Sequence, residues 1–392
     1  MKTNPGGQLE IGEIIGRDKL VDRLWKILAR QSLILTAERR MGKTHVLKKM
    51  MANVPAGALA IPEHLPRDLE SVHTAAEFVE SVFRDAEIYL SRSTRTAKRA
   101  RDFLSKLGGA EVAGVFKFPD AKNLPWKDIL TGTIHDLFEV QNQLVVFIWD
   151  EMPLMLFNVA QNQDKQAAMQ VLDTLRSLRQ THSNLRMVFT GSIGLHLVLS
   201  ALKLAGHAND PTNDMATVEL PPLEHHDACD LARMLLKGEN ITADNLEEIA
   251  DEIATSVDRI PFYIHHVVDQ IQTRGDRAIS GMVEQVVSEL LTDPNDAWHM
   301  RYYRERISTY YEPQDQLFAL SILDSLSTSG GYVPFDSLLN LVKSQIITED
   351  RENCLRVVTI LLRDHYLTQD RNGHYAFRLN LIKRSWRNQR GL

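Results

Sequence analysis

The strongest constraint in this chain is one turn of eight residues. An apolar run at 32–36, read as a strand, stops at Ala37-Glu38-Arg39-Arg40-Met41-Gly42-Lys43-Thr44, and a helical stretch begins at about Lys43. A strand that passes through a polar, glycine-containing turn into a helix aims several backbone N–H groups at one point. The partial positive charge of the helix start favours an anion there. The segment follows the phosphate-binding loop pattern, with Ala37 in place of the first glycine. In that pattern Lys43 reaches the β and γ phosphates and the Thr44 hydroxyl holds Mg²⁺. Ala37, Glu38, Arg39, Arg40, Met41, Gly42 and His45 complete the expected contact set.

The context of the loop predicts an α/β fold. A helix is expected over 18–29, where Leu20, Leu24, Ile27 and Leu28 fall at helical spacing, and further short apolar runs recur at 144–149 and 185–190. The stretch QDKQAAMQVLDTLRSLRQ between those two runs reads as a helix, and MATVEL at 215–220 reads as another strand. Strands alternating with helices imply a parallel sheet, whose ligands bind at the carboxyl ends of the strands. Two acids, Asp150 and Glu151, follow LVVFIW at such an end. Alone they are compatible with a solvated strand end. Beside the phosphate loop, Asp150 is expected to orient Mg²⁺ through its water shell and Glu151 to act as general base for an attacking water. LRMVFTGS at 185–192 supplies two hydroxyl residues, Thr190 and Ser192, placed to sense the γ-phosphate or position water, although a turn that caps the next helix is the plainer reading.

Beyond Leu220 the strand signal stops, and 226–291 reads as amphipathic helices. From 316 the expected order is three helices, at 316–327, 335–343 and 350–364, followed by a hairpin around Asp370, Asn372 and Gly373, which is the outline of a winged-helix unit. The less regular region 67–126 reads as an insertion in the α/β part.

With these residues in hand, the chain resembles the AAA+/STAND group of P-loop ATPases, in particular the branch called archaeal-type ATPases. The resemblance is carried by IIGRDKLVDRLWKIL at 14–28, AERRMGKTHVL, FIWDE, FTGSIGL, ELPPL, RIPFYI at 259–264 and FRLNLIKRSWRNQRG near the C-terminus. It implies a P-loop core over 1–222, a helical lid over 223–312 and a winged-helix domain over 313–392. It also implies that Gly16 and Arg17 lie near the adenine, that Pro261 closes over it, and that Ser192 is the first sensor. The lid motif departs from the family in having Arg259-Ile260 where glycine is common. Arg176 and Arg179 are candidates for an arginine finger, against the plainer reading of a solvated helix face.

Composition bounds the partners. With 45 Lys+Arg against 51 Asp+Glu, the net charge is −6, so the whole molecule is not an electrostatic partner for nucleic acid and a local patch would be needed. The stretch 370–392 offers one, with six Lys/Arg and one acid. In one reading the third helix, through Arg356 and Arg363, enters a major groove while the hairpin at 369–375 and the tail, through Lys383, Arg384, Arg387 and Arg390, contact phosphates; in the other, held level with it, the winged helix is a protein-interaction module. The basic run Arg92, Arg95, Lys98, Arg99 and Arg101 reads as a solvated surface. Two cysteines, Cys229 and Cys354, make no disulfide framework, and neither a signal-type leader nor a run of ~20 apolar residues is seen, so a cytoplasmic location away from membranes is expected. His225 and Cys229 lie one helical turn apart, but the sequence offers no second ligand pair, so they read as structural. His265 and His266 read as core and boundary residues of a helix.

Three functions compete for such a chain. One is a Mg²⁺-dependent ATP-hydrolysing switch, slow and partner-stimulated, assembling as a homo-oligomer with ATP. Another is an ATP-controlled DNA-binding protein in the manner of replication initiators or transposition regulators. The last is a defence or signalling component that engages a protein effector.

Overall fold

The computed structural model describes residues 1–90, 126–191, 194–204, 206, 209–279, 281–346 and 350–392. The basic run from Arg92 to Arg101 and the sensor candidate Ser192 lie outside the described residues. The chain packs as two compact units. One comprises Arg17–Thr36 and Lys43–Leu220, and the other Met1–Gly16, Ala37–Gly42 and Pro221–Leu392.

The first unit is built on a parallel sheet of β1 (Leu33–Thr36), β2 (Ala58–Ile61), β3 (Arg67–Asp68), β4 (Leu144–Asp150), β5 (Leu185–Thr190) and β6 (Ala216–Glu219). The order is β2-β4-β5-β1-β6, with β3 paired to β4. β4 carries a continuous apolar run because it is buried on both faces. Val145, Val146, Phe147 and Ile148 are all fully buried. Trp149 packs edge-on to Phe78 at 5.2 Å and stacks on Phe189 at 5.8 Å, tying β4 to its neighbours. Such ring pairs add about 0.5–1.5 kcal/mol beyond their burial.

The helix Lys165–Thr181 corrects the expectation for Arg179. Leu172, Leu175 and Arg179 share one stripe, at i, i+3 and i+7, and that stripe faces the core. The guanidinium is neither solvated nor projecting. It donates to both oxygens of Asp214 at 2.8 Å and to the Pro211 carbonyl at 2.7 Å. Arg176 is half-buried and donates to the Asp210 carbonyl at 3.2 Å. Burial by itself would raise the Asp214 carboxyl, but the Arg179 hydrogen bonds and charge outweigh it and hold the group below its ordinary value. A depressed folded-state pKa stabilises the fold above the unfolded value, and that stabilisation is lost as pH falls toward the folded value. Because Asp214 is about a third exposed, Arg179→Ala is expected to cost about 2–4 kcal/mol at neutral pH, with a smaller difference from wild type in acid melts.

In the second unit, the helices His225–Gly238, Leu246–Ser256, Pro261–Arg274 and Met282–Thr292 follow one another, with a two-residue parallel pairing of Thr242–Ala243 and Arg277–Ala278. That pairing is too short to leave a sequence signal. After the helix Tyr302–Tyr310 come helices Pro313–Thr328, Phe335–Gln345 and Arg351–Arg363, then the antiparallel strands Leu367–Gln369 and Tyr375–Phe377. Val333 makes an isolated antiparallel bridge to Tyr375, so three helices are followed by a hairpin, the order expected from the sequence. The C-terminal basic stretch is not an extended tail but a helix, Asn380–Arg390, with Leu381, Ile382 and Trp386 buried along one side.

Candidate functional site

In the sheet unit, the predicted residues converge at the carboxyl ends of β4 and β5. Lys43 opens the helix Lys43–Ala52, and its neighbour Thr44 donates its hydroxyl to Asp150 Oδ2 at 2.7 Å. Asp150 is 5% exposed at the end of β4, and its Oδ1 accepts the backbone N–H of Glu151 at 3.1 Å. Burial pushes the Asp150 carboxyl above its ordinary value, against the Thr44 hydrogen bond, the Lys43 charge and the Glu151 N–H, while Asp68 adds to the rise. A buried carboxylate held beside a hydroxyl, with burial still dominant over one lysine, is a donor set that a hard divalent cation fits. His45, next on the helix, is half-buried, and burial followed by the Lys48 charge lowers its pKa.

Glu151 takes a left-handed backbone, φ 57° and ψ 29°, between β4 and the helix Met152–Asn162. Gly191 lies directly beside it, because a Cβ at Gly191 would stand 2.7 Å from Pro153 Cδ and 3.3 Å from Glu151 Oε2. A larger residue at 191 would first press on Pro153 and would also crowd the Glu151 carboxylate. β5 lies between β1 and β4, and its last residue pairs in register with Leu35 of β1. This strand order sets Thr190 at the same rim as Asp150. Thr190 is 1% exposed, and its hydroxyl has no hydrogen-bond partner among the described residues.

The loop residues Ala37–Gly42 pack within the other unit. Their left-handed positions are Arg40, at φ 71°, and Gly42, at φ 87°. Position 37 is not one of them, so alanine replaces the first glycine without backbone strain, whereas position 42 has the left-handed backbone that favours glycine. Arg39 lies over the Tyr302 ring at 4.6 Å, and Arg40 lies over the Phe262 ring at 4.1 Å, beside the predicted Pro261. Met41 is fully buried. Glu38 is also buried, 3.8 Å from Arg306, which in turn meets Asp364 at 2.5 Å. Tyr311 donates to the other Asp364 oxygen at 2.6 Å. The burial of this cluster drives the tyrosines Tyr303, Tyr311 and Tyr366 well above their ordinary values. No sequence signal linked Glu38 to Arg306.

Of the remaining predicted residues, Gly16 stands at φ 68° directly against Asp227, and Pro261 begins the helix Pro261–Arg274. Arg17 is buried ahead of the helix Asp18–Leu28. Asp258 and Arg259 both adopt positive φ, 51° and 60°, so this chain places ordinary residues where the lid motif commonly has glycine. His265 is buried, and burial together with the Arg40 charge lowers His266 to about 4.

Residues 27–199 match the family described as AAA domain. The strand order, the loop and the acids at the end of β4 agree with that match, and the sheet unit has the P-loop NTPase fold, as the sequence resemblance implied. Among solved structures, a Walker-type ATPase of Pyrococcus abyssi is similar with a TM-score of 0.62 and 14% identity, covering 98% of each chain. The ORC2 protein of Aeropyrum pernix, described in ADPNP-ADP complexes, is similar with a TM-score of 0.51 and 11% identity, covering 96% of this chain and 94% of that one. At these identities the likeness is one of fold. No curated protein matches the sequence. Among the described residues no helix is long and apolar enough to cross a membrane.

Proposed function

We propose that the protein binds and hydrolyses ATP with Mg²⁺ and uses the nucleotide state to control engagement of a partner. The observation that carries this reading is the convergence of Lys43, Thr44, Asp150 and Glu151 at one rim of a parallel sheet, with Thr44 hydrogen-bonded to Asp150. Lys43 and the loop N–H groups would hold the phosphates. Thr44 and Asp150 would hold the cation, which when bound supplies charge neutralisation on the phosphate oxygens. Glu151 would accept a proton from the water that attacks the γ-phosphorus, as the bond to the β–γ bridging oxygen breaks to release ADP and phosphate. Thr190, at the end of β5 beside Asp150, would sense the γ-phosphate.

The test is turnover of ATP by purified protein, with and without DNA, alongside mass measurement of its assembly state. Lys43→Ala is expected to weaken ATP binding at least about tenfold through loss of a charge-assisted contact, and to remove hydrolysis. Failure of the wild-type protein to bind ATP would overturn the reading.

For the partner, the pairing of the basic side chains weakens the case for a DNA patch at the C-terminal end. Of the basic residues expected to contact phosphates, Arg356 pairs with Asp315, Arg384 with Glu284 and Arg390 with Asp324, while Lys383 donates to the Ser329 carbonyl at 2.5 Å. Arg363, Arg371 and Arg387 are exposed. A surface whose cations are already paired releases fewer counterions on binding nucleic acid. ATP turnover stimulated by DNA, with affinity falling steeply as salt rises, would restore that case.

A further inference from the structure

The pair His225 and Cys229, which the sequence leaves short of further ligands, acquires a third donor from the fold. His225 and Cys229 stand one turn apart on the helix His225–Gly238, and Asp251 comes from the neighbouring helix Leu246–Ser256. His225 Nε2 is 3.0 Å from Asp251 Oδ1. Cys229 Sγ is 3.7 Å from His225 Nε2 and 3.9 Å from the same Asp251 oxygen. We infer that these three side chains form a binding site for a zinc-like divalent cation, which the nucleotide chemistry does not use.

The spacing supports a shared ion. Bonds of about 2.0 Å to nitrogen and oxygen and about 2.3 Å to sulfur, at tetrahedral angles, put donors roughly 3.3–3.6 Å apart. The three observed separations bracket that range, and all three donor atoms lie within 4.8 Å of one another. An ordinary surface ion pair between His225 and Asp251 would not require a thiol equidistant from both. The donor chemistry is also selective: a thiolate with an imidazole and a carboxylate suits zinc, whereas the hydroxyl and carboxylate of Thr44 and Asp150 suit a hard cation. His225 and Asp251 are more than half exposed, which leaves a fourth position open to water.

The ion would pin the helices His225–Gly238 and Leu246–Ser256 to each other.

The experiment uses the purified full chain, reduced and freed of metal with a chelator, then titrated with Zn²⁺ in excess Mg²⁺ and, separately, with Co²⁺. One zinc equivalent is expected, together with a thiolate-to-cobalt absorption band. Cys229→Ser and Asp251→Asn should each weaken zinc binding roughly tenfold or more, since replacing even an outer partner of a metal ligand costs that much. Cys229→Ser should also abolish the cobalt band. Asp150→Asn and His226→Ala should bind zinc as the wild type does, which keeps this result separate from the success or failure of the nucleotide reading. Melting in chelator, unchanged among the variants, separates a lost ligand from a lost fold. Zinc binding that survives Cys229→Ser, or the absence of the thiolate band in the wild type, would overturn the inference.

Discussion

Glu151→Gln is expected to retain ATP and lose turnover. The substitution keeps side-chain size and the left-handed backbone that seats the residue between β4 and the following helix, so nucleotide contacts made by Lys43 and Thr44 remain. What disappears is a proton acceptor. General-base assistance is worth about 10²–10⁴-fold, so phosphate release at saturating ATP should fall at least a hundredfold while a fluorescent ATP analogue binds with unchanged affinity. Lys43→Ala differs by losing both signals. Turnover unaffected by Glu151→Gln would assign the proton to another group and leave this carboxylate without a catalytic role.

The second large effect concerns the buried charge cluster. Arg306, 3% exposed in its side chain, faces two carboxylates, those of Glu38 and Asp364, that are themselves fully buried. Removing one partner of a buried pair leaves uncompensated charge, at a cost of about 3–5 kcal/mol. Arg306→Met is therefore expected to lower the melting temperature by on the order of 10 °C, for a unit of this size. Glu38→Gln in the Arg306→Met background should recover part of the loss, because it removes a buried charge that Arg306 faces at 3.8 Å. A double-mutant cycle on melting temperature reads this directly. Strict additivity of the two substitutions would mean that Glu38 and Arg306 do not interact.

The sheet and its site residues were legible because they depend on local signals. Continuous apolar runs mark β4 and β5 as strands buried on both faces, and the phosphate loop fixes Lys43 and Thr44 by spacing alone. The contact of Thr44 with Asp150 follows from two motifs meeting at one rim. Arg179 was not legible, since a long cation on an amphipathic helix is most often at the surface. Its burial depends on Asp214 and the Pro211 carbonyl, which arrive from a later loop. The pairing of Glu38 with Arg306, and the arrival of Asp251 beside Cys229, are likewise contacts between segments far apart in sequence. No periodicity or spacing encodes such contacts. The C-terminal helix was missed as a helix because its basic residues dominate its composition, yet Leu381, Ile382 and Trp386 supply the apolar stripe that folds it against the unit.

The packing of Ala37–Gly42 among C-terminal residues has a genetic corollary. A screen for loss of nucleotide affinity should return two separated groups of substitutions. One would fall in the loop and at the ends of β4 and β5. The other would fall around Arg306 and Asp364, in a stretch with no nucleotide motif of its own.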